Sequence, residues 1–120
     1  MTHERLSLGA RGEELAVAFL RKQRYRILER NFTTPLGEID IIARKGQTLA
    51  FVEVKTRSSL AFGSPAEAVG VRKQRQIIKA AKWYLASDVG KKLQPRFDVV
   101  GVLLRDDQAE VEHLVAAFEV

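Results

Sequence analysis

The strongest constraint on the fold of this chain is a pair of strand-like runs separated by a short turn. The runs cover residues 38–43 and 49–55, and residues 44–47 between them include Gly46. Both runs are rich in β-branched or aromatic residues, and glycine readily adopts the positive φ that tight hairpin turns require. The pattern predicts a β-hairpin.

Three charged side chains fall on one face of this hairpin, because side chains alternate along a strand. If residues 45–46 form a two-residue turn, Asp40 pairs with Phe51 and shares its face with Glu53 and Lys55. Asp40 and Glu53 are then diagonal neighbours, roughly 7–8 Å apart at the backbone. Two carboxylates at this separation can share a divalent cation.

The other face of the hairpin is apolar, since Ile39, Ile41, Val52 and Val54 alternate with the charges. We expect these four residues to be buried together, which fixes the charges on the opposite face. Phe51 and Leu49 share the charged face, so that face is predicted to be partly covered as well. Charges among covered apolar residues are unfavourable unless they are paired or ligating.

This pattern suits phosphodiester hydrolysis. Carboxylate oxygens are preferred ligands of Mg²⁺ or Mn²⁺, which can offset negative charge and activate water. Lys55, two residues after Glu53, could orient that water or stabilise the transition state. The alternative is a surface ion pair between Glu53 and Lys55.

The remaining periodicities predict a single α/β domain over residues 1–120. Helices are predicted at about 7–23 and 71–87, and further strands at 25–32, 96–104 and 109–116. Ser64-Pro65-Ala66-Glu67 has the form of a capping box and predicts a helix start. The resulting order is α-β-β-β-α-β-β, a mixed five-stranded sheet flanked by helices.

The second predicted helix carries a basic stripe, which is made of Arg72, Arg75, Lys79 and Lys82. A phosphate backbone would relieve the mutual repulsion of these cations, although a solvated polar face is the alternative. Trp83 falls on the basic side, where an exposed indole indicates base stacking or a protein interface. Lys73 turns toward the sheet and could reach the charged hairpin.

Composition narrows the choice of partner. There are 20 basic and 15 acidic residues, a net charge of +5, which favours a polyanion. No apolar run approaches the roughly 18 residues of a membrane span, and no signal-peptide pattern opens the chain. With no cysteine, the chain fits the cytoplasm. His3 and His113 are isolated in the sequence, and Asp98 could approach the hairpin or pair with Arg96.

The hairpin spacing matches the PD-(D/E)xK pattern of restriction-endonuclease-like nucleases, with Ile39 in place of the proline. A wider set of motifs resembles the YraN-type bacterial proteins (uncharacterised protein family 0102) over nearly the whole chain. The motifs are Gly9-x-x-Gly12-Glu13-x-x-Ala16, Gly37-Glu38-Ile39-Asp40, Phe51-Val52-Glu53-Val54-Lys55-Thr56-Arg57, Gly63-Ser64-Pro65-x-Glu67-Ala68-Val69 and Arg96-Phe97-Asp98-Val99-Val100.

That family is similar to archaeal Holliday-junction resolvases and is regarded as predicted endonucleases. The resemblance implies a restriction-endonuclease-like core in which Asp40 and Glu53 bind the metal and Lys55 is catalytic. It also implies that Glu13 is a third metal ligand. Helical geometry independently places Glu13 at the edge of the buried stripe of the first helix.

Three functions are compatible with the sequence. The first is an endonuclease that uses Mg²⁺ or Mn²⁺ on branched, flapped or single-stranded DNA, with Arg57, Lys73, Trp83 and the basic stripe holding the nucleic acid. The second is a non-catalytic nucleic-acid-binding module on the same scaffold. The third is a protein-interaction domain that uses the basic helix and Trp83. Resolvase relatives act as dimers, so a homodimer is possible.

Overall fold

The computed structural model describes residues 7–59, 65, 67–87 and 92–119. The protein folds as a mixed β-sheet with one helix packed on each face. The elements are α1 (Leu8–Lys22), β1 (Arg26–Thr34), β2 (Gly37–Lys45), β3 (Thr48–Arg57), α2 (Val71–Leu85), β4 (Gln94–Arg105) and β5 (Gln108–Phe118). The predicted α/β class, five-stranded sheet and element order are confirmed.

The strands lie in the sheet in their sequence order, from β1 at one edge to β5 at the other. β3 and β4 are parallel, whereas the other three neighbouring pairs are antiparallel. Parallel neighbours need a crossover connection, and α2 lies in that connection. β3 and β4 are therefore central, and most of their residues are buried.

Each helix covers a separate apolar core. α1 packs Ala16, Val17 and Leu20 against one face of the sheet, and Ser7 caps its first turn by accepting a hydrogen bond from the Ala10 amide. α2 packs on the opposite face, where Phe51 lies at the centre of an aromatic group. Both faces of the hairpin are thus covered, as the sequence predicted for the face that carries Phe51.

Ile39 departs from the predicted apolar set. It packs in the α2-side core, while Ile41, Val52 and Val54 pack on the α1 side. Ile39 lies beyond Ile41, the last residue of β2 that pairs with β3, so the predicted pairing does not fix its face.

The predicted hairpin register is wrong by two residues. Lys45 pairs with Thr48, so the two turn residues are Gly46 and Gln47 rather than 45–46. Gly46 has φ +61°, and a positive φ at the first central position alone is the pattern of a type II′ turn. A shift of two residues preserves the faces of the residues that pair, Ile41–Lys45 on β2 and Thr48–Val52 on β3.

The helix start predicted at 64–67 is not part of α2, which begins at Val71 after Gly70, as predicted for the second helix. Ser64 and Ala66 lie outside the described residues, and the Ala68 amide donates to the Pro65 carbonyl in a turn. Glu67 therefore does not cap α2.

Both edge strands are irregular. The pairing of β1 with β2 shifts between Ile27 and Glu29, and Asn31 has φ +51°. The pairing of β4 with β5 shifts between Phe97 and Val99, and Ala116 has φ +53°. Neither edge is a regular strand along its whole length.

Candidate active site

The candidate site lies where β2 and β3 separate. Their last pair in the ladder is Ile41 with Val52, and the same register places Asp40 opposite Glu53. The backbone amide of Val54 donates to Asp40 Oδ2 at 2.8 Å, so a carboxylate occupies the place of a ladder carbonyl. The structure thus brings Asp40 beside the β3 segment that carries Glu53 and Lys55, at the opening between the two strands.

Glu53 is a buried carboxylate whose side chain is 5% exposed. Burial is the main reason that the pKa of Glu53 rises to about 7, and the negative charge of Asp40 raises it further. The ammonium groups of Lys73 and Lys55 lower the pKa but do not offset these effects. Within the described part of the chain, Glu53 Oε1 is buried without a hydrogen-bond partner.

Two lysines approach the other oxygen of Glu53. Lys55 Nζ lies 3.7 Å and Lys73 Nζ 3.8 Å from Oε2. Lys73 comes from α2, which confirms the prediction that it turns toward the charged hairpin. The predicted Glu53–Lys55 ion pair is present, but it is attached to a buried acid rather than lying on an open surface.

Glu13 lies in α1 on the rim of a cleft of about 300 Å³, which Asp40 and Lys55 also line. Its side chain is 15% exposed. Asn31 Nδ2 donates to Glu13 Oε1 at 2.9 Å, and Arg30 donates to the same oxygen at 3.4 Å. Glu13 therefore borders the cleft of Asp40 while a partner from β1 holds one of its oxygens.

The three acids differ in how closely they are associated. The negative charge of Asp40 raises the pKa of Glu53, whereas Glu13 is held by β1. In the ranges that the structure describes, no three His, Cys, Asp or Glu side chains are grouped closely enough to enclose a metal ion. The role of Glu13 as a third ligand stays a prediction.

The cations predicted to contact nucleic acid lie in two places. The basic stripe on α2 is exposed along its length, and Trp83 beside it is 53% exposed. Lys73 and Arg57 are half-buried and lie on the side of the sheet that carries Glu53. Exposure of the stripe and of Trp83 agrees with the prediction, while their contact with nucleic acid stays a prediction.

A second polar cluster was missed because its members are far apart in the sequence. Arg96 donates to both oxygens of fully buried Asp98, at 2.9 and 2.7 Å, and also to the Tyr25 hydroxyl. His113 Nε2 lies 2.8 Å from Asp98 Oδ2, so the description of His113 as isolated is wrong. His3 lies outside the described residues.

This cluster is a satisfied structural network rather than a second site. Burial opposes ionisation of Asp98, but hydrogen bonds from His113, Arg96 and the Ala116 amide outweigh it, and the pKa of Asp98 is lowered. Of the two alternatives, Asp98 therefore pairs with Arg96 and does not approach the hairpin. Only the Arg96 partner was foreseeable from sequence, through its i, i+2 spacing.

Comparison with known proteins agrees with the motifs. Residues 12–102 match the model of "Uncharacterised protein family UPF0102". The chain belongs to the UPF0102 family. A UPF0102 protein from Syntrophotalea carbinolica is 57% identical over 120 residues, which are 100% of this chain and 98% of that protein. UPF0102 proteins from Geobacter metallireducens (50% identity; 94% of this chain, 93% of that one) and Caldanaerobacter subterraneus subsp. tengcongensis (45%; 93% and 94%) are also similar.

The name of the UPF0102 family states no activity, so a proposal for the function rests on the geometry of the site. No helix in the described ranges is long and apolar enough to cross a membrane.

Proposed function

We propose that this UPF0102 protein is a metal-dependent endonuclease that hydrolyses phosphodiester bonds in DNA, acting on branched, flapped or single-stranded regions. The observation that supports this most strongly is the buried carboxylate of Glu53. Among the described residues one of its oxygens has no hydrogen-bond partner, the other faces Lys55 and Lys73, and the charge of Asp40 acts on it. An unsatisfied buried oxygen is unfavourable, and a ligand that binds it removes the penalty.

The donors in this site fit Mg²⁺ or Mn²⁺. Both are hard cations that take carboxylate oxygens, and Mg²⁺ is commonly held by one or two carboxylates together with water and substrate phosphate. Asp40 and Glu53 would hold the ion. Glu13 is the third proposed ligand, since its two contacts with described residues both use Oε1. When bound, the ion supplies positive charge at the phosphate and lowers the pKa of a coordinated water.

The lysines have the positions that phosphoryl chemistry needs. Lys55 Nζ, beside Glu53 and in the wall of the Asp40 cleft, can orient a water or donate to a non-bridging phosphate oxygen. Lys73 brings a second ammonium from α2, at nearly the same distance from Glu53. The Val54 amide fixes one oxygen of Asp40 and so orients this carboxylate.

Binding of the polyanion is assigned to the basic stripe, Trp83 and Arg57. The stripe has no acidic residue within it, and its four cations are exposed. Contact with phosphates would release counterions, so the affinity is expected to fall steeply with salt. Trp83 offers a stacking surface for an unpaired base.

A cleavage assay with Mn²⁺ on junction, flap and single-stranded DNA tests the proposal. We expect cleavage by the native chain and at least a hundredfold loss in Asp40→Asn, Glu53→Gln and Lys55→Ala. Asparagine is chosen because it retains an acceptor for the Val54 amide. Glu38→Gln, which changes an exposed acid on the same hairpin, is the matched control and is expected to cleave normally. Activity that survives Asp40→Asn and Lys55→Ala would overturn the assignment.

Fluorescence of Trp83, the sole tryptophan, separates the two alternative functions. A non-catalytic nucleic-acid-binding module would show salt-sensitive quenching by DNA and no cleavage with any divalent cation. A protein-interaction domain would show no response to DNA at all. The endonuclease proposal predicts both the DNA response and cleavage.

A further inference from the structure

A second depression, of about 370 Å³, adjoins the candidate active site. It lies on the same face of the sheet as Glu53, beyond the region that α2 covers. Lys55 lines this depression and also the cleft that holds Asp40 and Glu13. Lys55 therefore borders both hollows.

The floor of the depression is formed by two rows of three residues across three adjacent strands. One row is Lys55 on β3, Gly101 on β4 and Glu112 on β5. The next row is Arg57, Leu103 and Glu110. We call these residues, with Pro65 above them, the shelf.

The charge of the shelf differs from strand to strand. Its β3 side is cationic, its β4 centre has no charge, and its β5 side is acidic. Adjacent strands are about 4.8 Å apart, so the two charged sides are separated by about 10 Å. Pro65 closes over the centre and approaches Gly101 so closely that a side chain there would collide with it. The volume lies within the roughly 300–1,000 Å³ of ligand pockets.

The acidic side is open to a ligand. Glu110 and Glu112 are both exposed, and neither side chain makes a hydrogen bond or ion pair with any part of the chain that the structure describes. Carboxylates at the end of an apolar surface accept hydrogen bonds from amino or imino groups. The cationic side instead suits a phosphate, and Lys55 is the lysine that faces the scissile group in the proposed reaction.

We infer that the shelf binds one unpaired nucleotide of the substrate next to the scissile phosphate. This rests on the proposed function. The phosphate lies at Lys55 and Arg57, the base lies over Leu103 beside Pro65, and the hydrogen-bond donors of the base meet the β5 carboxylates. Guanine fits best, because its adjacent N1–H and N2–H groups can donate to both oxygens of one carboxylate.

The shelf adds a requirement on the substrate that the active site alone does not impose. A base can reach the β5 carboxylates only when its Watson–Crick edge is free, so a paired nucleotide is excluded. The shelf would then select unpaired guanine beside the cleaved bond.

Binding of single nucleotides tests the shelf without metal and without cleavage. The full chain is titrated with dGMP, dTMP and inorganic phosphate by calorimetry in the presence of EDTA. We expect dGMP to bind about tenfold more tightly than dTMP, the ratio that corresponds to about 1.4 kcal/mol from a bidentate contact. Inorganic phosphate is expected to bind most weakly. Equal affinities for dGMP and dTMP would overturn the inference.

Glutamine at both carboxylates gives the variant test. The double variant Glu110→Gln/Glu112→Gln is expected to reduce the preference for dGMP to less than twofold. Asp106→Asn/Asp107→Asn removes the same charge from the adjoining turn and is expected to keep the preference. Both pairs are exposed, so both variants are expected to fold. If the two variants lost the preference for dGMP equally, the effect would be due to net charge, and the inference that the shelf binds guanine would be overturned.

Competition distinguishes a substrate nucleotide from a free one. A single-stranded oligonucleotide with one guanine is expected to displace dGMP, and the same strand in a duplex is not. Failure of the single strand to compete would overturn the assignment to nucleic acid. If the chain cuts no DNA yet prefers dGMP, the endonuclease proposal fails, whereas the inference that the shelf binds guanine is supported. If it cuts DNA without any preference for dGMP, the endonuclease proposal is supported and the inference about the shelf fails.

Discussion

Replacing Glu53 by glutamine is expected to stabilise the metal-free protein at pH 8. At this pH the native carboxylate is ionised, although burial and the charge of Asp40 oppose ionisation. Glutamine has nearly the same shape and no charge, so it removes this penalty. Lys55 and Lys73 lose an ionic partner in the variant, but they are 32% and 39% exposed and can be hydrated instead.

The magnitude follows from the pKa of Glu53, which rises from 4.5 to about 7. At 1.36 kcal/mol for each pH unit, the ionised carboxylate destabilises the native state by roughly 3 kcal/mol above pH 7. Because the native pKa is raised, the folded protein binds the proton more tightly than the unfolded chain. The stabilisation of the folded state by this bound proton is therefore complete below pH 4.5 and is lost as the pH rises through 7.

Urea denaturation in EDTA, at pH 5 and pH 8, measures this effect. We expect Glu53→Gln to raise the free energy of unfolding by roughly 3 kcal/mol at pH 8 and by much less at pH 5. Glu38→Gln, an exposed carboxylate on the same hairpin, is expected to change it by less than about 0.5 kcal/mol at either pH. A Glu53→Gln variant that is no more stable than the native chain at pH 8 would refute the reasoning.

Three further substitutions test other parts of the structure. Gly12→Ala is expected to destabilise the fold by about 1–3 kcal/mol in urea, because its methyl group meets a side chain of β3, whereas Gly9→Ala has open space and is expected to be neutral. Asp98→Ala is expected to lower the free energy of unfolding by about 2–3 kcal/mol, since it removes the buried partner of Arg96 and His113 and leaves a half-buried guanidinium without its ionic partner. Lys79→Gln is expected to lower the slope of log affinity against log salt by about 1 in DNA binding, and Lys22→Gln on the opposite helix to leave it unchanged.

Each of these has a clear contrary result. Equal stabilities of Gly12→Ala and Gly9→Ala would show that α1 does not press on β3 as described. A loss below about 1 kcal/mol in Asp98→Ala would mean that the buried network contributes little. Equal salt slopes in the two lysine variants would show that the basic stripe does not contact nucleic acid.

The extent of the secondary structure was predictable because it depends on local pattern. The helix predicted at 7–23 spans Leu8–Lys22, and the one at 71–87 spans Val71–Leu85. The hairpin register was not predictable to the residue, because Gly46 can serve as either central residue of a two-residue turn. Only the structure shows it at the first position.

Part of the candidate site was predictable from the sequence, because that part also depends on a local pattern. Alternation placed Glu53 and Lys55 on one side, and that placement does not depend on a register shift of two. The bonds that hold Glu13 depend on where β1 passes α1, which no local pattern encodes. The contact of His113 with Asp98 likewise depends on the register of β4 with β5, which places His113 opposite Val100 and so diagonal to Asp98.

The irregular edge strands have a consequence for the behaviour of the protein in concentrated solution. A straight edge strand presents a row of unpaired donors and acceptors that can recruit the edge of another molecule. Here positive φ angles at Asn31 and Ala116 interrupt both edges, and the Ala116 amide is already bound to Asp98. Edge-to-edge aggregation is thereby disfavoured. A homodimer, if it forms, is expected to join faces or loops rather than extend the sheet, so the growth of the sheet stops at its fifth strand.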